Sequence, residues 1–112
     1  MTQSSIFSRI LTGDIPGEIV HQTDRVFVLN DIAPQAPVHL LVIPKTDQYA
    51  NVVELAAGDP GLLAEMVATA RELVPGDFRL IFNTGEGAGQ TVFHVHAHVL
   101  AGELPEGSLG ER

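Results

Sequence analysis

The chain contains no cysteine. That excludes a structural zinc site built on thiolates and fits a reducing cytoplasm, the location expected for this protein. Basic residues are also scarce, with 6 lysines and arginines against 14 acidic residues and a net charge of −8. Such a chain repels polyanions, so no nucleic-acid backbone is expected as a partner. A small phosphate ligand is still compatible with it, provided a local site supplies backbone N–H groups and imidazoles. No apolar run approaches the roughly 20 residues of a membrane span. The first residues lack a basic stretch followed by an apolar one, so neither a membrane association nor a signal peptide is expected.

What the chain does have is 45% apolar residues over 112 positions, enough for one domain with a modest core. It also has an unusual run, residues 91–100. Three of the five histidines fall here, at His94, His96 and His98. The run is rich in β-branched residues, and the histidines recur with the period of a strand. One face would carry three imidazoles and the other Val95, Ala97 and Val99. A single histidine on such a face is usually structural. Three in alternate succession each need a polar partner, and each can change charge near neutral pH.

Histidines on a strand serve metal ligation or acid–base and nucleophilic chemistry. Same-face residues lie about 6.6 Å apart, so His94 and His98 are about 13 Å apart along the strand, too far to close on one ion. Two histidines could still ligate with help from His39. A row of imidazoles suits a substrate laid across the strand better than an ion held at a point.

The remaining pattern is that of an α+β domain. Residues 4–13 read as a short helix, capped by Ser4 or Ser5 and striped by Ile6, Phe7, Ile10 and Leu11. Residues 18–22 and 25–29 read as a hairpin, with His21 at the surface. Asp31 opens a loop stiffened by Pro34 and Pro37, where a carboxylate would ordinarily cap local N–H groups. Residues 38–44 form an apolar strand with His39 near its start. One long helix is expected within residues 54–75, with Asp59 and Pro60 suited to its first turn. A fourth strand, 78–82, leads through a glycine-rich loop, 83–90, into the histidine run. Glycines there allow close approach to a ligand, and their place beside the histidines favours a phosphate cradle over a plain hairpin loop. The expectation is thus a five-stranded, mostly antiparallel sheet with two helices. The domain covers residues 1–101 and a loosely ordered tail covers 102–112.

His94-Val95-His96-Ala97-His98-Val99-Leu100 resembles the signature of the histidine-triad (HIT) superfamily, nucleotide hydrolases and transferases that act at an α-phosphate. Ile6-Phe7 through Ile15-Pro16, Asp31 through His39, Val42-Ile43-Pro44-Lys45 and Asn83 through Val99 are similar to its nucleotide-binding (Hint) branch. A branch of dinucleoside polyphosphate hydrolases shares the Gly-Gln-Thr-Val lead into the triad, but not the N-terminal helix or the Asp-Ile-x-Pro-x-Ala-Pro stretch.

The resemblance implies that His96 is the nucleophile. It implies that His94 and His98 flank the α-phosphate, with His39 completing the cluster. Asp31 would hold the ribose hydroxyls, and Phe7, Ile10, Ile15 and Ile32 would line the purine pocket. Asn83, Gly89, Gln90 and Thr91 would contact the phosphate or leaving group. Substrates would be purine nucleoside monophosphates or their conjugates, with no metal or other cofactor. The protein would be a homodimer whose sheets join into a continuous ten-stranded sheet. A nucleotide sensor with little turnover is the alternative outside enzymology, and a dinucleoside polyphosphate hydrolase is the alternative within it. Two departures stand out. Thr91 takes a place often held by Ser, and Ala101-Gly102-Glu103 replaces the usual Gly-Gly-Arg.

Overall fold

The computed structural model describes residues 5–104. Its centre is strand β3 (Val38–Pro44). β2 (Val26–Asn30) pairs with one side of it and β5 (Ala97–Ala101) with the other. β1 (Ile19–Gln22) extends the sheet beyond β2, and β4 (Phe78–Ile81) extends it beyond β5, in the order β1-β2-β3-β5-β4. All four pairings are antiparallel. Three helices complete the fold: α1 (Ile6–Leu11), α2 (Val52–Gly58) and α3 (Pro60–Leu73).

Both faces of the sheet are covered, which explains why Val26, Phe27, Val28 and Leu29 are all buried rather than alternating. On one face Val26, Val28, Val42, Val95, Ala97, Val99 and Ala101 pack with Leu55 of α2 and Leu62, Met66 and Ala70 of α3. On the other, Phe27, Leu29, Leu41 and Ile43 pack with Phe7 of α1, flanked by Ile10 and Leu11. The register sets His39 opposite Leu100 and Leu41 opposite His98. Paired residues point the same way, so His39 and His98 meet diagonally on the α1 face.

Two expectations need correction. The long helix is α3, with the Asp59 cap and Pro60 start that the sequence suggests, but a further helix, α2, precedes it and brings the number from two to three. α2 has its own N-cap, Asn51, and ends at Asp59, whose φ of −154° and ψ of 74° leave the helical region. Pro60 disfavours a helical conformation at the residue before it, and the Asp59 side chain then caps α3 by accepting from the Leu62 N–H.

The histidine run is also not one strand. The faces alternate as expected, but β5 begins at Ala97, so only His98 belongs to the ladder. Continuing the register would set Val95 against Pro44, which has no N–H to donate. The Pro44 carbonyl instead accepts from His94 Nε2 at 2.8 Å, and the Val95 N–H donates to the Tyr49 carbonyl at 2.9 Å.

Candidate active site

Four aromatic rings stand in file on the α1 face. Phe7 meets His96 edge-on with ring centroids 4.9 Å apart, His96 lies 5.3 Å from His98, and His98 lies 5.2 Å from His39. Asp31 ends the file, with Oδ2 3.2 Å from His39 Nε2. An apolar helix therefore lies at one end of the row and a carboxylate at the other.

Hydrogen bonds settle where each imidazole carries its proton. His96 Nδ1 is 2.9 Å from the carbonyl oxygen of His94. A carbonyl can only accept, so Nδ1 donates and Nε2 keeps its lone pair. The same logic puts the His94 proton on Nε2, which donates to Pro44 O, and leaves its Nδ1 to accept from the Ser5 hydroxyl at 2.6 Å. At the far end, the Gln35 N–H donates to His39 Nδ1 at 3.0 Å. The His39 proton is thus on Nε2, 2.9 Å from His98 Nδ1, which accepts it. His98 is left with an Nε2–H. Among the described residues, the row presents one lone pair without a partner, on His96, beside one such donor, on His98.

Burial keeps the row neutral. Desolvation lowers the pKa of His39, against the opposing pull of Asp31. It lowers that of His94, opposed by the Pro44 carbonyl and Asp47. His96 is lowered by the same cause, with the His94 carbonyl opposing. His98 falls furthest, from 6.5 to about 4, because burial is joined by repulsion from His96 and His39.

Asp31, His39 and His98 each bring one ligand atom within 4.8 Å of the others, a spacing compatible with a metal ion. The proton positions do not fit one. The Gln35 N–H needs a lone pair on His39 Nδ1, so the facing Nε2 is protonated and cannot ligate.

Asp31 is the first residue after β2, and both its oxygens have partners. Oδ1 accepts from the Ala33 N–H at 2.7 Å, the local cap expected of a loop carboxylate, and Oδ2 faces His39. Of the apolar candidates, Phe7 is buried, Ile10 and Ile15 are half-buried, and Ile32 is 99% exposed. The glycine-rich loop folds into a single 3₁₀ turn, Glu86–Ala88, flanked by Gly85 and Gly89, both at φ 91°. Gln90 is buried and staples this loop. Its Oε1 accepts from the Gly85 N–H, and its Nε2 donates to the carbonyls of Ala50 and Val92. Thr91 and Gly89 are exposed and Asn83 is half-buried, and no hydrogen bond among the described residues ties Asn83 or Thr91 to an imidazole. His21, expected at the surface, is half-buried, and its Nε2 has no partner among the described residues.

Sequence reasoning missed Ser5 and Gln35 as partners of the row. Ser5 was legible as a helix cap, but its contact with a residue 89 positions away was not. A backbone N–H such as that of Gln35 leaves no mark on a sequence.

The chain matches, over residues 4–112, the family described as scavenger mRNA decapping enzyme C-term binding. It is 41% identical over 107 residues to an uncharacterized HIT-like protein of Synechococcus elongatus, covering 91% of this chain and 93% of that protein. It is 37% identical over 107 residues to the purine nucleoside phosphoramidase of Escherichia coli K12, covering 91% and 90%. Among solved structures, a HIT family hydrolase from Legionella pneumophila superposes with a TM-score of 0.86 at 34% identity, covering 96% of this chain and all of that one. A histidine triad protein from Clostridium difficile superposes with a TM-score of 0.84 at 33% identity, covering 95% and 98%. With the triad motif, the five-stranded fold and these matches in agreement, the chain belongs to the histidine-triad family.

Proposed function

We propose that the protein hydrolyses purine nucleoside 5′-phosphoramidates and related mixed anhydrides of AMP type, through a nucleotidyl group carried on His96. The observation that carries this reading is the His96 Nδ1–H bond to the His94 carbonyl, which leaves Nε2 unprotonated and aimed. The E. coli relative is named for this substrate class, which supports the choice.

In the first step His96 Nε2 attacks phosphorus and the bond from phosphorus to the leaving nitrogen breaks. That nitrogen takes a proton from a neighbouring donor. A water held by the His98 Nε2–H or by the Thr91 hydroxyl can relay that proton, since a neutral imidazole that gave up its own N–H would be left an anion. In the second step water attacks phosphorus, the bond to His96 Nε2 breaks, and the proton of the water returns to the donor. Splitting one displacement into two is the gain of covalent catalysis. Phosphoryl oxygens would meet N–H groups of the glycine loop at Gly89 and Gln90, and the side chain of Asn83. The base would lie on Phe7, Ile10, Ile15 and Ile32, and the ribose hydroxyls would displace His39 from Asp31. The absence of cysteine supports a reducing cytoplasm as the place of action.

The test is turnover of a panel of nucleoside phosphoramidates, with intact-mass analysis of acid-quenched enzyme. Release of the amine with a nucleotidyl mass adduct is expected. Tight AMP binding with no turnover of any member would instead make the protein a sensor. Preferential cleavage of dinucleoside polyphosphates would move it to that branch.

A further inference from the structure

Ser5 stands at an unusual junction. Its hydroxyl oxygen accepts from the Ser8 N–H at 3.1 Å, which caps α1. The same oxygen is 2.6 Å from His94 Nδ1. The other helix caps, Asn51 and Asp59, also accept from their own helices, but among the described residues neither hydrogen-bonds to a histidine of the row. Because His94 Nε2 donates to Pro44 O, its Nδ1 is an acceptor, and Ser5 supplies the proton. His94 is fully buried, so without that donor a lone pair would lie unsatisfied in the interior. The carbonyl of the same His94 receives the Nδ1–H of His96. Phe7, two residues after Ser5, packs edge-on against both rings.

We infer that Ser5 is a positioning residue for His96: its hydroxyl locks His94 in the Nε2–H tautomer and so holds the carbonyl that aims the nucleophile. This inference rests on the reading of His96 as nucleophile. It couples α1, which carries Phe7 and Ile10, to the reacting atom through Ser5 and His94. Ser5 touches no substrate in this account and acts through His94. The titratable groups acting on the two imidazoles are Asp47 on His94, and His94 and Asp31 on His96.

Three variants separate capping from donation. Ser5→Ala loses both. Ser5→Asp keeps an excellent cap, but a carboxylate at neutral pH can only accept, so it calls for a proton on His94 Nδ1. Ser5→Thr keeps both. Ser5→Ala and Ser5→Asp are expected to lower kcat about tenfold, the worth of one buried hydrogen bond, with KM unchanged. Without a donor to its neutral form, His94 takes up a proton more readily, so the acid limb of the kcat profile should move to higher pH. Ser5→Thr should restore both kcat and the profile.

Nitrogen-15 NMR of the histidine rings gives a readout free of turnover. The wild type should show Nε2–H on His94, and Ser5→Asp should show Nδ1 protonated. An Nδ1–H tautomer of His94 in the wild type would overturn the inference. So would wild-type kcat and pH profile in Ser5→Asp. If no phosphoramidate is turned over, the proposed function fails, whereas the ring-nitrogen measurement still decides the role of Ser5.

Discussion

His39 donates from Nε2 to Nδ1 of His98 across 2.9 Å, although 59 residues separate them in the chain. The bond is one-directional, since the Gln35 N–H occupies the other His39 nitrogen. It hands His98 to the site as a neutral donor, and a pH dependence is expected from it. The pKa of His98 is depressed from 6.5 to about 4, by burial first and by His96 and His39 next. Protonation below that value would break the bond from His39. Protonation of His96, whose pKa is also depressed by burial, would occupy the lone pair that attacks, so activity is expected to hold at neutrality and to fall on an acid limb that starts below 6.5 and is complete near 4. Stability follows the same sign. A histidine depressed in the folded state favours folding fully above 6.5, and that contribution drains away as the pH falls from 6.5 to about 4. Thermal melts across this range should show a declining Tm, and His98→Asn should flatten the decline.

His96→Ala should fold as the wild type does and lose at least about a thousandfold in kcat, since it removes the nucleophile itself. His96→Gly should regain some rate with added imidazole. A His96→Ala enzyme keeping a tenth of wild-type activity would remove His96 from that role.

Asp31→Asn should weaken ribonucleotides more than 2′-deoxynucleotides. Each charge-assisted bond from a ribose hydroxyl is worth about 1.5–3 kcal/mol, and the amide keeps an acceptor without the charge. Titration calorimetry with AMP and its 2′-deoxy analogue measures the difference. Equal losses would leave Asp31 as the cap of the Ala33 N–H that it already is.

A homodimer is expected, with light scattering at low micromolar concentration giving twice the 12.0 kDa chain mass. Edge strand β4 would pair with its counterpart to give the ten-stranded sheet. The apolar residues of α3 include Leu63, Met66, Val67 and Ala70, candidates for the helical part of the interface. Met66 and Ala70 are instead buried in the chain's own core, which leaves Val67, 41% exposed, and the half-buried Leu63. Val67→Glu should shift the mass to that of a monomer, while His96→Ala should not. A monomeric wild type would dispose of the dimer.

The sequence by itself determined the family, the α+β class, the face that carries the histidines and the approximate place of every strand. These follow from local pattern: a period of two at Val95, Ala97 and Val99, a cap and proline at Asp59 and Pro60, and a motif whose spacing is covalent. It did not determine that β5 starts at Ala97, because that depends on Pro44, which sits on another strand and offers a carbonyl but no N–H. Nor did it determine the proton positions. Those come from Ser5, Gln35, Pro44 and the His94 carbonyl, brought to the imidazoles by sheet register and by the docking of α1. A tautomer is chosen by whichever partner reaches each ring nitrogen, and only the tertiary structure brings those partners within reach.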